Sequence, residues 1–162
     1  DWSIEEDYHL TNRHRIKAIA DFLDTLPKDN TLILCHPQLG KILSEHLKCD
    51  CINDEINVDQ RAEWLHGFDG DGFRIAASYG TSGTGLSINR IYQLVLIDVG
   101  KNETNIMQGI GRGMRLDGER NFVDVIDISS NMKYAKKHRK ERVKLYEREK
   151  YSFEQSDNFI LV

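Results

Sequence analysis

The 162-residue sequence has no apolar run long enough to cross a membrane and no secretory signal peptide at its start. Its three cysteines are an odd number without the spacing of a disulfide framework, which is typical of a reducing cytoplasm. These absences exclude a membrane-spanning protein and a disulfide-stapled secreted domain. We therefore expect a cytoplasmic chain of one domain, since this length is enough to bury a full core.

Two nucleotide-binding signatures are also missing. The run from 79 to 87 is rich in glycine, but its glycines lack the spacing of a dinucleotide-binding loop, and no P-loop lysine follows them. The acidic pair Asp54-Glu55 resembles a magnesium-binding box, but no P-loop precedes it, so acidic residues at a helix N-terminus are the favoured interpretation. The sequence also starts at Asp1 without a methionine, which suggests a piece of a longer protein.

Charge is unevenly distributed along the chain, although the net charge is only -4. Residues 132–150 contain nine Lys and Arg against three Glu, whereas the remainder contains thirteen basic and twenty-three acidic residues. This asymmetry predicts an electrostatic footprint confined to one region rather than a basic domain.

Short apolar segments alternate with amphipathic helical segments. Strands are predicted at 31–35, 49–53, 73–78, 93–99 and 122–128, with helices at 11–26, 37–47, 58–68, 103–114 and 132–150. This alternation is typical of an α/β protein with a largely parallel sheet of about five or six strands flanked by helices. We expect one domain at 11–131, a linker without helical periodicity at 1–10, and a basic helix and tail at 132–162, whose residues 159–162 add an edge strand or pack as a tail.

The segment Gln108-Gly-Ile-Gly-Arg-Gly-Met-Arg115 contains two arginines three positions apart among three glycines. Residues at this spacing share one helix face, so Arg112 and Arg115 can bind one target, and guanidinium groups suit phosphate. Three helical glycines each cost roughly 1 kcal/mol relative to alanine, which indicates that a ligand or another backbone comes close. An exposed helix end that makes surface ion pairs is an equally good interpretation of the spacing alone.

Two further patterns have a functional and a structural interpretation. The glycine and hydroxyl groups of residues 79–87 can form an anion nest after a strand, or only a tight turn. Cys49-Asp-Cys51 with His36 or His46 could form a metal site, but no second ligand pair is present, so two strand cysteines are the favoured interpretation.

The sequence resembles the second RecA-like domain of superfamily 2 helicases over roughly residues 11–128. Ala-Ser-Tyr-Gly-Thr-Ser-Gly-Thr-Gly-Leu-Ser-Ile at 77–88 is similar to motif V, and Gln108-x-x-Gly111-Arg112-x-x-Arg115 is similar to motif VI. Residues 32–36 occupy the position of motif IV, and residues 59–68 resemble the helix that follows it. Within this family, the sequence resembles the branch-migration helicases of bacteriophages.

This resemblance implies an ATP-dependent DNA helicase or translocase that remodels branched DNA in recombination, repair and replication. ATP and Mg²⁺ would be bound mainly by a first RecA-like domain, which we expect before Asp1 and which closes on this domain. The implied partner is branched or duplex DNA, with an RNA–DNA hybrid as an alternative. The chain alone is then expected not to hydrolyse ATP.

The family motifs also imply roles for nucleotide-facing residues. Arg115 resembles the arginine finger that stabilises charge on the γ-phosphoryl oxygens, and Arg112 resembles its partner at the phosphates. Gln108 would orient this helix and sense the nucleotide, and Gly111 lies in the same segment. Ser87 stands where many members carry an aspartate that couples ribose to the DNA side, and serine lacks that charge, so this role is implied only weakly.

The resemblance further implies a nucleic-acid track. Gly83, Thr84 and Gly85 match the motif V positions that bind a backbone phosphate, and His36 and Gln38 are candidates for a neighbouring phosphate. Contacts of this kind are independent of sequence, as a translocating motor requires.

The basic helix near the C-terminus has two interpretations. Its apolar content is low, so it could be a merely solvated helix. Alternatively, Lys136, Lys137, Arg139 and Lys140, clustered near Tyr134, could contact duplex DNA or a branch point.

Two other function classes remain open from the sequence. The same motor could belong to a restriction-type translocase–nuclease, which a nuclease domain elsewhere in the protein would reveal. A non-catalytic nucleic-acid-binding module is the third class, and the presence of Gln108, Arg112 and Arg115 argues against it.

Overall fold

The computed structural model describes residues 1–53, 55–82, 90–100 and 122–156. The predicted helix at 103–114 and the predicted tail segment at 159–162 lie outside these residues. Within the described ranges, no helix is long and apolar enough to span a membrane.

The described helices are α1 (Trp2–Thr11), α2 (Arg13–Thr25), α3 (Pro37–Leu47), α4 (Val58–Leu65), the single turn α5 (Tyr79–Ser82) and α6 (Lys133–Arg148). The strands are β1 (Thr31–Cys35), β2 (Asp50–Ile52), β3 (Arg74–Ser78), β4 (Gln93–Ile97) and β5 (Asp124–Ile128). They form one sheet in the order β2-β3-β1-β4-β5, and every pairing is parallel. The predicted α/β, RecA-like fold is confirmed.

The central strands are buried on both faces, as their continuous apolar runs predicted. All five residues of β1 and all five of β4 are buried. On one face, Ile19 and Leu43 of α2 and α3 pack against Ile33 and Val95. On the other face, Phe68 from a 3₁₀ turn after α4 joins the second apolar cluster.

A buried amide joins the amino ends of β1 and β3. The side chain of Asn30, fully buried, donates to the carbonyl oxygens of Phe68 and Gly70 at 3.2 and 2.8 Å, and accepts from the Phe73 backbone N–H at 2.9 Å. Because its donors and acceptor are paired, this polar group stabilises the loops instead of destabilising the core.

Residues 2–11 form a helix that the sequence pattern did not predict. α1 buries two polar residues, Glu5 and His9, so a search for apolar periodicity could not find it. Asp1 is its N-cap and accepts from the Ser3 backbone N–H at 3.3 Å. The assignment of residues 1–10 to an interdomain linker remains a prediction.

Candidate functional site

The carboxyl ends of three neighbouring strands open onto one cleft. β1 ends before His36, β3 leads into α5 at Tyr79, and β4 ends before Asp98. The cleft has a volume of about 200 Å³, and α1 contributes Trp2 and His9 to its lining. Parallel α/β sheets bind ligands at this edge, so the segments predicted as motifs IV and V begin where a ligand would be expected.

His36 lies at the start of α3 with its ring exposed. It is the N-cap residue, and its Nδ1 accepts a hydrogen bond from the Gln38 backbone N–H at 3.2 Å, with Pro37 in the first turn. Because Nδ1 is the acceptor, the proton of the neutral ring is on Nε2, which can donate to an anion. The helix N-terminus adds its positive dipole end to the same place.

Gln38 is exposed in the first turn of α3, beside His36, so the structure brings these two predicted residues together. A close approach of α3 to the sheet fixes their position. A Cβ atom at Gly40 would lie 3.1 Å from Sγ of Cys51 and 3.2 Å from Sγ of Cys35, so a larger residue here would push the helix away from the strands. Contact of His36 and Gln38 with a phosphate remains a prediction.

A hydrogen bond made by Tyr79 fixes the start of the glycine-rich segment. The Tyr79 hydroxyl donates a short hydrogen bond to the carbonyl oxygen of Ile97, which ties the end of β3 to the end of β4. Gly80 follows and lines the cleft. The other predicted residues of this segment lie outside the described residues: Gly83, Thr84, Gly85 and Ser87.

Asp98 follows the most hydrophobic strand and faces the cleft from a left-handed backbone conformation, with φ of 52°. Nη2 of Arg15, whose residue is 3% exposed, donates to Oδ1 of Asp98 at 2.7 Å. His9 lies beside this pair, with Nε2 4.0 Å from Asp98 Oδ1 and 2.7 Å from the Ser130 hydroxyl. Burial lowers the pKa of His9, and Asp98 offsets only part of that effect.

A second buried arginine closes the same end of the sheet. Arg142 of α6 is 1% exposed and donates from Nε and Nη2 to the two carboxylate oxygens of Asp127, at 2.7 and 2.8 Å. It also donates a short bond to the carbonyl oxygen of Val99. Burial alone would lower the pKa of Arg142, but the bonds to Asp127 raise it, so the guanidinium is charged.

These two arginines fix the described residues on either side of 101–121. Asp98 and Val99 precede that segment, and the Asp98 backbone N–H donates to the Ile128 carbonyl oxygen at 2.9 Å. The predicted motif VI residues lie outside the described residues: Gln108, Gly111, Arg112 and Arg115. Their roles remain predictions.

The basic C-terminal helix packs one face on the domain, and whether its exposed face is only solvated or contacts DNA stays a prediction. α6 buries one face, which includes Ala135, Arg142, Leu145 and Tyr146. The sequence shows the apolar residues of this face but not the burial of Arg142. Arg139, which was predicted with the lysines, is half-buried and donates to Asn131 Oδ1 at 3.1 Å. The predicted nucleic-acid residues lie on the opposite, exposed side of the helix: Lys136, Lys137 and Lys140.

Cys35 is buried, and Cys49 and Cys51 are half-buried. Burial raises the pKa of all three thiols, to about 11 for Cys49 and further for fully buried Cys35. Thiols of this kind are protonated at neutral pH and are poor nucleophiles and ligands. Among the described residues, no group of three His, Cys, Asp or Glu is arranged to hold a metal ion.

Sequence reasoning missed Trp2, His9, Arg15 and Asp98 as residues around the cleft. A signal was available for Asp98, because an acidic residue directly after a buried parallel strand lies at the ligand-binding edge. No such signal exists for Trp2 and His9, since their helix shows no apolar period.

Comparison with known proteins supports the resemblance to superfamily 2 helicases. Residues 14–117 match the family model "Helicase conserved C-terminal domain". The ATP-dependent DNA helicase uvsW of Enterobacteria phage T4 is 31% identical over 134 aligned residues, covering 69% of this chain and 26% of that protein. The chain thus spans about a quarter of the length of that relative.

Two solved structures share the fold. The crystal structure of T4 UvsW superimposes with a TM-score of 0.67 and 19% identity, covering 92% of this chain and 35% of that chain. The C-terminal part of the Fun30 ATPase domain gives a TM-score of 0.61 and 16% identity, covering 78% of this chain and 44% of that chain. The parallel order of the strands and the cleft at their carboxyl ends are consistent with the family match. The chain therefore belongs to the helicase conserved C-terminal domain family, the second RecA-like domain of superfamily 2 helicases, and it resembles the corresponding domain of UvsW.

Proposed function

We propose that this chain is the second motor domain of an ATP-dependent DNA helicase or translocase that acts on branched DNA in recombination, repair and replication. The observation that carries the proposal is the cleft at the carboxyl ends of β1, β3 and β4, where the segments resembling motifs IV and V begin. The similarity to a phage protein named as an ATP-dependent DNA helicase supports DNA as the substrate and a bacteriophage origin, with action in the host cytoplasm.

The chemistry we propose needs a second domain. Hydrolysis of ATP builds negative charge on the γ-phosphoryl oxygens, and a guanidinium that arrives on closure stabilises this charge in a water-poor site. Arg115 would be that group, Arg112 would bind the phosphates beside it, and Gln108 and Gly111 would shape their segment. The residues described here offer no cluster for Mg²⁺, so the proposal assigns Mg²⁺ and the main triphosphate contacts to the first RecA-like domain.

The proposed DNA track uses groups that recognise phosphate rather than bases. His36 can donate from Nε2 at the N-terminus of α3, and Gln38 is exposed beside it. Gly83, Thr84 and Gly85 would add backbone and hydroxyl donors on the next loop, and Ser87 would link that loop to the nucleotide. Such contacts are independent of sequence, which suits a protein that moves along DNA.

ATP turnover by the full-length protein tests this proposal. We expect turnover that branched or duplex DNA stimulates, and no turnover by the 162-residue chain alone. Turnover by the isolated chain would contradict the two-domain site. A full-length protein that hydrolyses no ATP with any branched, duplex or hybrid nucleic acid would contradict the motor function itself.

A further inference from the structure

The exposed side of α6 carries a continuous stripe of lysines. Lys133, Lys136, Lys137, Lys140 and Lys144 are all exposed, and at 3.6 residues per turn they lie within an arc of roughly 100°. The buried face of the helix is on the opposite side. We call these five residues the lysine stripe; at 1.5 Å rise per residue it is about 16 Å long.

Few contacts compensate the charge of the stripe, apart from that of the Lys133 ammonium group, which lies 5.3 Å from the centroid of the Tyr134 ring. None of its five ammonium groups forms an ion pair with a carboxylate among the described residues. Lys133 and Lys137, Lys136 and Lys140, and Lys140 and Lys144 are like charges four positions apart, and each such pair destabilises a helix by about 0.2–0.5 kcal/mol. The helix also carries Glu141, four positions after Lys137, and Glu147, three positions after Lys144, but neither forms an ion pair with a stripe lysine among the described residues. Five lysines against two glutamates leave a positive face, which suits an anionic ligand.

The position of two stripe lysines in the first turn of α6 is electrostatically unfavourable. The first turn has no acidic residue, its N-cap Met132 gives no side-chain cap, and Lys133 and Lys136 lie at the positive end of the helix dipole. A glutamate from α1 supplies the missing negative charge. Glu5, 3% exposed, accepts from the backbone N–H groups of Tyr134 and Ala135 at 3.0 and 2.6 Å. The fold thus holds the stripe in place through a residue about 130 positions away.

One tryptophan connects the carboxyl-edge cleft to the helix that carries the stripe. Trp2 lines the cleft and also contacts α6, with its ring 5.7 Å from the Tyr134 ring and 5.4 Å from the His138 ring. The helix α6 therefore begins beside the cleft.

We infer that the lysine stripe binds the phosphate backbone of duplex DNA as a second contact beside the motor track. Lysine is a compact point charge that suits phosphates and does not read bases. Single-stranded nucleic acid is bound mainly by exposed aromatic rings on which bases stack, whereas the nearest rings, those of Tyr134 and His138, are half-buried and pack against Trp2. Over about 16 Å a duplex presents on the order of nine phosphate charges, which is enough to face all five ammonium groups. The inference rests on the proposed DNA substrate but not on the ATP chemistry.

Binding of a 20-base-pair duplex by this chain over a salt series tests the inference. In the stripe variant Lys137, Lys140 and Lys144 become Gln; in the control variant Lys17, Lys28 and Lys48, which are exposed elsewhere, become Gln. Both variants have the same net charge. Each lost phosphate contact lowers the salt slope by about 0.9, so we expect a decrease of about 2 to 3 for the stripe variant, with at least tenfold weaker binding at low salt. The control is expected to stay within twofold of wild type.

Urea denaturation of the stripe variant distinguishes a loss of DNA binding from a loss of folding. Removing like charges relieves repulsion, so the stripe variant is expected to unfold at the same or a higher urea concentration than wild type. Lys140→Gln alone provides a milder version, with an expected change in slope of about 1.

Three results would overturn the inference. The first is an equal loss of duplex affinity in the stripe and control variants, and the second is no duplex binding by wild type. The third is a loss of affinity that is seen only for single-stranded DNA or only for polyglutamate, a polyanion that is not a nucleic acid. An unchanged duplex affinity in the stripe variant, together with DNA-stimulated ATP turnover by the full-length protein, would reject the stripe alone. Absence of that turnover in the wild-type protein would instead reject the proposed function.

Discussion

Arg142 and Lys140 lie two positions apart on α6 and have opposite environments. Arg142 is 1% exposed, bonded to both oxygens of Asp127 and to the Val99 carbonyl, whereas Lys140 is exposed and has no carboxylate partner among the described residues. Both belong to the segment whose charge made the sequence unusual. The difference shows that one face of a basic segment can fix the helix to the sheet while the other face stays exposed, where we propose that it binds DNA.

The two faces should respond in opposite ways to mutation. A buried charge that loses its partner is strongly destabilising, because it remains desolvated without compensation. An exposed charge without a partner contributes little to folding, and its loss changes binding instead. The predictions below use this contrast, from the largest effect on stability to the smallest.

Asp127→Ala should cause the largest loss of stability, because it leaves the Arg142 guanidinium buried without its carboxylate. We expect a decrease of about 3–5 kcal/mol in the free energy of unfolding, measured by urea denaturation. Asp124→Ala, on the same strand but exposed, is the matched control and should change stability by less than about 0.5 kcal/mol. Similar losses in both variants would show that the buried pair is not special.

Glu5→Ala should cause an intermediate loss, since it removes the carboxylate that caps α6. Caps of this kind contribute about 0.5–2 kcal/mol. Hydrogen exchange should be fastest relative to wild type at the Tyr134 and Ala135 amides, which donate to Glu5. Asp7→Ala, an exposed acidic residue of the same helix, serves as the control. Unchanged exchange at these two amides would mean that α1 does not hold α6.

The substitution His9→Gln should have the smallest effect on the free energy of unfolding, and this effect should depend on pH. Burial lowers the pKa of His9 in the folded state, so the unfolded chain binds more protons as the pH falls through about 6.5. Stability should therefore be fully present above that pH and decrease below it, and His9→Gln should lack this part of the decrease. The free energy of unfolding of both proteins between pH 8 and 5.5 checks this, and parallel curves would contradict it.

The sequence predicted the sheet well for a physical reason. β1, β3 and β4 are continuous apolar runs because both of their faces are covered, and such runs can be recognised without knowledge of their partners. The edge at which a ligand binds follows from parallel topology alone, so the positions of His36 and Gln38 could also be predicted.

What the sequence did not reveal depends on polar residues in the core. The helix α1 was not predicted, because it is buried through Glu5 and His9. The helix α6 was predicted, but the burial of its Arg142 was not, because the partners of these residues lie on other elements far away in the sequence. Hydrophobic periodicity cannot detect such contacts, because a buried charge looks like an exposed one until its partner is known. The same limit hid Arg15 and Asp98 at the cleft.

ATP turnover by the full-length protein with Arg115→Ala tests the central claim most directly, that this domain supplies the arginine finger of a DNA-stimulated motor. Arg13→Ala, an exposed arginine on α2, is the matched control. We predict that Arg115→Ala loses about 10³-fold or more of the DNA-stimulated turnover while it binds DNA as wild type does, and that Arg13→Ala retains full turnover. Turnover in Arg115→Ala equal to that of the control would contradict the account.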